Sequence, residues 1–336
     1  MSLFGAHRHA GPAPLPAEGT LPGFGGATGW LNSPALTAAD LHGKVVVVDF
    51  WTYTCINWLR TLAYVRAWDE KYRDSGVVVV GVHTPEFPFE HDIDNVRRAA
   101  KDMRVGYPVA VDSDYAVWRA FDNRYWPAVY IADAQGRIRH HQFGEGGYDE
   151  CERVIQRLLG EAGHAGVADD LVSLAPAGFE AQADWENLQS PEAYLGYEQG
   201  QNLATSDGVA LDERRTYAAP AVLRLNQWAL SGDWTIERGA SVLAGAEGRI
   251  AFRFHARDVN LVLAPPAGGM SAPFRVLVDG KPPADAHGLD VDERGHGEVA
   301  QPRLYQLVRE PAAIRDRTFE IVFLAPGVAA YVFTFG

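Results

Sequence analysis

The first strong pattern in the chain is a run of apolar residues that changes period at a cysteine. Residues 44–50 contain four successive valines followed by Asp49 and Phe50, so both faces of a strand here would be apolar, as in a buried parallel strand. After a short polar stretch, Ile56, Leu59 and Leu62 recur at helical spacing. The pattern predicts a helix from Cys55 to about residue 71, and it places Cys55 where a strand gives way to a helix.

The rest of the first half alternates between predicted strands and helices. A second apolar strand is predicted at 77–82, and Tyr148 begins the last predicted helix. Between them the patterns indicate a helix at 90–103, a strand at 107–111, a helix at 113–121, and two strands starting at 126 and 137. This order predicts an α/β domain over residues 28–160.

The segments outside residues 28–160 have different patterns. Residues 1–27 and 161–190 are rich in Gly, Pro and Ala and lack periodicity, so we expect a tail and a linker. From residue 191 to 336 many short β-rich runs alternate with turns, including one at 222–225. This pattern is typical of an all-β sandwich, and we predict a jelly roll.

Composition narrows the class of protein. The 336 residues are 47% hydrophobic and 22% charged, which is typical of a globular protein. The net charge of −13 and the lack of a Lys/Arg cluster argue against nucleic-acid binding. We find no run of membrane-helix length and no signal peptide at the start. With only two cysteines, the chain is not a disulfide-rich scaffold.

Cys55 is the first candidate for chemistry. Unpaired amides and the dipole at the start of a helix stabilise a thiolate, so we expect the pKa of Cys55 to be lowered and its sulfur to be nucleophilic. The alternative is a small buried hydrophobic residue, as free cysteines often are.

The residues around Cys55 carry a family resemblance. Val-Asp-Phe-Trp, then Cys-x-x-Cys and a helix, is the pattern of thioredoxin-like oxidoreductases, and Phe-Trp-Thr-Tyr-Thr-Cys-Ile-Asn-Trp resembles the thioredoxin-like module of DipZ-type disulfide-exchange proteins. The resemblance implies a thioredoxin-like fold, thiol–disulfide exchange and an extracytoplasmic location. Its partners would be a thiol- or disulfide-containing protein or small thiol, and a membrane electron-transfer protein. One departure matters: Trp58 occupies the position of the second cysteine, so a mixed disulfide on Cys55 has no internal resolving thiol there.

The resemblance also implies roles for other residues. Asp49 would assist proton transfer, and a cis bond before Pro127 would shape a substrate groove next to the sulfur, with Trp51, Thr52, Trp58 and Trp126 lining it. The alternatives are that Asp49 is a strand-end carboxylate in a hydrogen-bond network and that Trp51 and Trp58 only pack.

Three further residues are auxiliary candidates. His83 and Glu86 follow the second strand at its carboxyl end, where they could tune the thiol, or else belong to a loop of solvated charges. Cys151 could form a disulfide with Cys55, or be an ordinary helix residue. His140 and His141 point to opposite faces of a strand, and we predict no metal site and no cofactor.

Two other functions stay open. Thr52 stands three residues before Cys55, as in one-cysteine peroxidases, although Val48 occupies the place of their proline. The second half resembles the carbohydrate-binding-module-like domain of DipZ-type proteins in runs such as 195–197 and 251–255. Its aromatic residues would either stack on a glycan or form the core; they are Trp185, Tyr194, Tyr197, Trp228 and Trp234. A non-enzymatic binding protein is therefore the third hypothesis.

Overall fold

A computed structural model describes residues 15–164, 166–206 and 208–336. These residues divide into two compact units. The first consists of the described residues up to Thr52 together with Tyr64–Pro85 and Met103–Ser173, and the second consists of Tyr53–Ala63, Glu86–Asp102 and Leu174–Gly336.

The first unit is built on a mixed seven-stranded sheet. Its strands are β1 (Gly19–Thr20), β2 (Gly29–Leu31), β3 (Val45–Trp51), β4 (Val77–His83), β5 (Val109–Val111), β6 (Ala128–Ala132) and β7 (Arg137–Phe143). They lie in the order β1-β7-β6-β3-β4-β5-β2. The β3–β4 and β4–β5 pairs are parallel and the other pairs are antiparallel. The predicted α/β class is confirmed.

The helices lie close to their predicted positions. They are α1 (Ala38–Leu41), α2 (Ile56–Tyr72), α3 (Ile93–Asp102), α4 (Ala116–Ala120) and α5 (Tyr148–Glu161). The stretch predicted as one helix over 90–103 is a 3-10 turn at Pro88–His91 followed by α3. Among the residues the structure describes, no helix combines the length and the apolar character needed to cross a membrane.

Strand β3 is the buried centre of the sheet, because all seven of its residues are buried. Its neighbour β4 contains Gly81 in register with Asp49. A Cβ atom at residue 81 would lie 2.8 Å from Nε1 of Trp51 and 3.0 Å from Cε2 of Tyr107. The glycine is therefore required by the close approach of two aromatic side chains next to Asp49.

The second unit contains a ten-stranded sheet. Its strands are β8 (Ala193–Tyr194), β9 (Arg214–Tyr217), β10 (Trp228–Ile236), β11 (Ser241–Phe254), β12 (Asp258–Ala264), β13 (Ala272–Val278), β14 (His296–Val299), β15 (Arg303–Arg309), β16 (Arg317–Phe323) and β17 (Ala329–Phe335). They pair antiparallel along the path β14-β13-β16-β11-β17-β12-β15, with β10 and β9 joined to β11 and β8 joined to β17. Apolar side chains from these strands form one core cluster, as the predicted β-sandwich requires.

Two local predictions differ from the structure. Residues 222–225 do not form a strand, because Val222 is 81% exposed and a turn closes directly after it, with Asn226 at a φ of 65°. Part of the predicted tail is ordered, since Gly19 and Thr20 pair with Ile138 and Arg137. The tail residues 1–14 lie outside the described residues.

Candidate functional site

Cys55 occupies the predicted position between strand and helix. Strand β3 ends at Trp51, and α2 begins at Ile56, directly after the cysteine. The Cys55 carbonyl accepts the N–H of Leu59 at 3.0 Å, as the residue that starts a helix does. The backbone N–H groups of Trp58 and Asn57 donate to the Cys55 sulfur. The expected contact between the sulfur and the amides that open the helix is therefore present.

The predicted lowering of the Cys55 pKa is wrong. Burial raises the pKa of this thiol well above its ordinary value, since the residue is only 9% exposed, and the charges of Glu192 and Glu86 raise it further. The two amide hydrogen bonds act in the opposite direction and are outweighed. At neutral pH the sulfur in this conformation is a thiol, not a thiolate.

A network of carboxylates lies in the second unit, which also contains Cys55. Glu90 is fully buried: its Oε1 accepts the hydroxyl of Thr54 at 2.7 Å, and its Oε2 accepts the N–H groups of Glu86 at 2.6 Å and Phe87 at 2.9 Å. The hydroxyl of Tyr194 donates to Oε1 of Glu86 at 2.7 Å. Burial, followed by the charge of Glu90, raises the pKa of Glu86 to about 8, although the Tyr194 hydrogen bond lowers it.

Sequence reasoning missed two residues whose electrostatics are linked to those of Cys55. Glu192 was not a candidate, and Tyr194 was considered only for sugar stacking, whereas the charge of Glu192 raises the pKa of Cys55 and a charge on Cys55 raises the pKa of Tyr194. Both belong to a segment far from residue 55 along the chain, and no local pattern connects them to a thiol.

The remaining strand-end candidates lie in the first unit. Asp49 is fully buried, and its Oδ2 accepts the hydroxyl of Tyr107 at 3.3 Å. His83 ends β4 and is fully buried, so it does not belong to a loop of solvated charges, and its ring lies edge-on to Trp51 with centroids 4.8 Å apart. Thr52 is also fully buried.

The predicted cis bond is confirmed between Trp126 and Pro127. The carbonyl of Pro127 accepts the N–H of Gly144 at 2.9 Å. The indole of Trp126 lies against Trp118, with ring centroids 4.3 Å apart. This contact and the carbonyl hydrogen bond fix the start of β6.

The positions of Trp58 and Cys151 bear on two alternatives: whether Trp58 only packs, and whether Cys151 forms a disulfide with Cys55. Trp58 is fully buried on the first turn of α2, as the packing alternative predicted. Cys151 is buried on α5, with its sulfur 3.6 Å from Nε2 of His140, and burial, followed by the charge of Glu150, raises its pKa to about 12. Neither Cys55 nor Cys151 is part of a disulfide, so the Cys55–Cys151 bridge is not formed in this structure.

The aromatic candidates of the second unit divide into two groups. Trp228 and Trp234 are buried in the core, whereas Trp185 is 56% exposed and Tyr197 is 38% exposed. Within residues 15–164, 166–206 and 208–336, no three His, Cys, Asp or Glu side chains are grouped as metal ligands.

The sheet order and the position of Cys55 before α2 define a thioredoxin-like protein. Residues 28–141 match the AhpC/TSA family, and residues 190–336 match the thioredoxin like C-terminal domain. Protein DipZ of Mycobacterium bovis is 38% identical over 304 residues, which cover 87% of this chain and 42% of DipZ. The thiol-disulfide oxidoreductase YkuV of Bacillus subtilis is 31% identical over 141 residues, which cover 42% of this chain and 95% of YkuV. The chain belongs to the DipZ-type family of thioredoxin-like proteins.

A solution structure of a thioredoxin-like protein in the oxidized form is 33% identical to this chain. The match covers 43% of this chain and 96% of that protein, with a TM-score of 0.40. The chain spans less than half the length of the DipZ proteins it matches.

Proposed function

We propose that this protein carries out thiol–disulfide exchange through a single reactive cysteine, Cys55. The observation that carries the proposal is the pair of backbone N–H groups, from Asn57 and Trp58, that donate to the Cys55 sulfur at the start of α2. These donors stabilise negative charge on the sulfur as it becomes a thiolate. Membership of a family that includes a named thiol-disulfide oxidoreductase supports the proposal.

The proposed reaction has two steps. In the first, the Cys55 thiolate attacks one sulfur of a disulfide in a protein or a small molecule, which forms a mixed disulfide and releases the other sulfur as a thiolate. In the second, an external thiolate attacks the mixed disulfide, which forms a new disulfide with the substrate sulfur and regenerates the Cys55 thiolate. The external thiol is necessary because position 58 holds an indole instead of a second sulfur.

The other candidate residues have supporting roles in this proposal. Asp49 assists proton transfer, and Trp126 and Pro127 shape the substrate groove, as the family pattern implies, whereas Trp51, Thr52 and Trp58 are fully buried and have packing roles. His83 supports Trp51 through their ring contact. Cys151 has no redox role in this proposal, because it lies within α5, with its own N–H bonded to the Gly147 carbonyl, and not directly before a helix as Cys55 does.

Family membership also leads to proposals about location and organisation. An extracytoplasmic location and a membrane electron-transfer partner fit a DipZ-type protein. Residues 28–160 and 191–336 would be its two domains, joined by the linker 161–190. The exposed rings of Tyr197 in the second domain and of Trp185 in the linker before it support glycan binding.

The test is adduct formation with glutathione disulfide, measured by mass mapping of both cysteines on the native protein from pH 7 to pH 10. We expect an adduct on Cys55 that forms faster as the pH rises, that is released by excess thiol, and that is absent from Cys55→Ser. A native protein without a Cys55 adduct at any pH, while the unfolded chain reacts at both cysteines, contradicts the proposal.

The match of residues 28–141 to the AhpC/TSA family makes peroxide reduction the second candidate function. In that reaction the Cys55 thiolate takes one oxygen from hydrogen peroxide to form a sulfenic acid, with hydroxide as the product. Consumption of hydrogen peroxide faster than by a free thiol favours the peroxidase. A Cys55 that reacts with neither glutathione disulfide nor peroxide favours the binding protein.

A further inference from the structure

The segment that enters β8 contains two polar residues, Glu192 and Tyr194, that interact electrostatically with the thiol. Strand β8 is fixed to the sheet by pairing of Tyr194 with Val332 and of Ala193 with Phe333. Side chains alternate along an extended chain, so Glu192 and Tyr194 point to the same face. Among charged groups Glu192 has the largest effect on the pKa of Cys55, and a charge on Cys55 in turn raises the pKa of Tyr194.

The loop that carries Glu86 is fixed to the same part of the second unit. The rings of Phe87 and Phe89 pack on Tyr331 of β17, with centroids 5.0 and 5.1 Å away. Since β17 is the strand that pairs with β8, the 2.7 Å hydrogen bond from Tyr194 to Glu86 joins two segments that are both held by β17. The bond therefore has a defined geometry.

We propose that residues Glu192 and Tyr194 complete the thiol site: Tyr194 is a positioning residue that holds the Glu86 carboxylate, and Glu192 supplies a second carboxylate that acts on the Cys55 sulfur. This inference rests on the proposed function of Cys55. It assigns to the start of the C-terminal family domain a direct part in controlling the thiol.

The two carboxylates oppose the thiolate only while they are charged. Protonation of Glu86 removes one of the two charges that oppose the thiolate. Because the pKa of Glu86 is raised to about 8, this carboxyl group gains its charge only as the pH rises toward 8 and above. Glu86 and Tyr194 also line a cleft of about 390 Å³ with the exposed Glu198 and Arg238, so Glu86 can pass the proton to water.

The titratable groups near the thiol can be separated by substitution. Glu86 and Glu192 act on the pKa of Cys55, whereas Glu90 and the Tyr194 hydroxyl act on the pKa of Glu86. Because Glu192 is exposed, its effect on the thiol is weakened by salt, whereas an effect of the buried Glu90 is not.

The experiment is the pH profile of Cys55 alkylation by iodoacetamide, measured on the Cys55 peptide of the full chain. Glu192→Gln removes one opposing charge, so we expect the midpoint to fall by about half a unit or more, which is a roughly threefold faster reaction below the midpoint. The difference in midpoint between Glu192→Gln and the protein without substitutions should become smaller in high salt. Glu186→Gln is the matched control, since it removes an exposed carboxylate from the same segment.

The role of Tyr194 is tested by combining two substitutions. Tyr194→Phe removes the hydrogen bond that lowers the pKa of Glu86, so Glu86 stays neutral to higher pH and the midpoint of Cys55 alkylation falls. In a Glu86→Gln background, Tyr194→Phe should leave the profile unchanged, because no carboxylate is present to position. Tyr197→Phe, which removes an exposed hydroxyl bonded to Asp212, is the control.

Several outcomes overturn the inference. One is a Glu192→Gln profile that matches Glu186→Gln, and another is a Tyr194→Phe shift that is equally large with and without Glu86, which would show a merely structural role. Alkylation does not require exchange activity, so these results are separable from the proposed function. Adduct formation with glutathione disulfide together with unmoved profiles leaves the function and removes this inference.

Discussion

The hydroxyl of Thr54 donates a 2.7 Å hydrogen bond to Glu90, and both side chains are buried. Thr54 directly precedes Cys55, whereas Glu90 lies in the turn that precedes α3. The second oxygen of Glu90 accepts the N–H groups of Glu86 and Phe87, so one buried carboxylate connects the residue next to the thiol with the loop that carries Glu86. The residue directly before the thiol is therefore hydrogen-bonded, through one carboxylate, to a loop that is distant in sequence.

Replacing Thr54 by Val removes one partner of the buried Glu90 carboxylate. We expect the free energy of unfolding to fall by about 1–3 kcal/mol, because a buried charged acceptor loses a hydrogen bond. Denaturant titration measures this change. Thr61→Val is the matched control: Thr61 is also buried, but its hydroxyl bonds the Asn57 carbonyl within the helix, and we expect a loss below about 0.5 kcal/mol. Equal losses in the two variants would contradict the assigned role of Glu90.

The raised pKa of Cys55 predicts slow alkylation at neutral pH. We expect iodoacetamide to modify the native thiol more slowly than a free thiol at pH 7, with a rate that continues to rise above pH 9, because burial and the charges of Glu192 and Glu86 oppose the thiolate. Peptide mapping must separate Cys55 from Cys151, whose pKa is also raised. A rate that reaches its plateau below pH 7 would contradict the electrostatic description of the site.

The sequence predicted the parts of the fold that local patterns determine. Strands β3 and β4 were predictable because valines fill both faces, and α2 was predictable because apolar residues recur at helical spacing after Cys55. Strand β9 was not predicted, because Arg214–Tyr217 is largely polar and half of its residues are exposed at the end of the sheet. Strand β1 was not predicted either, because it is only two residues long and lies in a stretch whose Gly and Pro content favours a tail.

The electrostatics of the site could not be predicted from the same patterns. The start of a helix correctly predicted that amides would contact the Cys55 sulfur, but the sign of the pKa shift depends on carboxylates that the fold brings from elsewhere. Glu86 and Tyr194 are 108 residues apart in sequence and 2.7 Å apart in the structure. A local motif gives the favourable contribution to a pKa, and the tertiary fold adds the opposing ones.

The glycine in β4 gives a prediction about packing next to Asp49. Gly81→Ala would place a Cβ atom 2.8 Å from the Trp51 indole and 3.0 Å from the Tyr107 ring, so we expect a loss of about 1–3 kcal/mol in the free energy of unfolding. Gly106→Ala is the control, since a Cβ atom at this exposed residue would have no other atom within 4 Å. Thermal unfolding of the two variants compares them. A Gly81→Ala protein as stable as Gly106→Ala would contradict the packing described here.

Restoring a second cysteine tests the mechanism at Trp58. Trp58→Cys places a thiol where the family has its resolving cysteine, so we expect faster reduction of insulin disulfides with dithiothreitol as reductant than by the protein without the substitution, whose mixed disulfide waits for the external thiol. The loss of a fully buried indole should lower the free energy of unfolding by about 3–5 kcal/mol.

Trp58→Ser is the control for this gain of activity, because it creates a similar cavity without a thiol. If both variants are folded and equally inactive, Trp58 is not the feature that prevents internal resolution of the mixed disulfide.

The raised pKa of Glu86 predicts how stability depends on pH. A carboxyl group with a pKa of about 8 in the folded protein and an ordinary pKa in the unfolded chain binds its proton more tightly when folded. Its contribution is therefore fully present below the unfolded pKa and is lost as the pH rises from about 4.5 to about 8.

Glu86→Gln keeps an oxygen that can accept the Tyr194 hydroxyl but cannot ionise. Relative to the unmodified protein, it should gain roughly 1–3 kcal/mol in the free energy of unfolding between pH 5 and pH 9, allowing for partial solvation. Urea titrations across this range measure the gain, and Glu186→Gln, at an exposed position, should show none. A constant difference between Glu86→Gln and the unmodified protein at all pH values would mean that Glu86 ionises normally, and the carboxylate would then oppose the Cys55 thiolate throughout the neutral range.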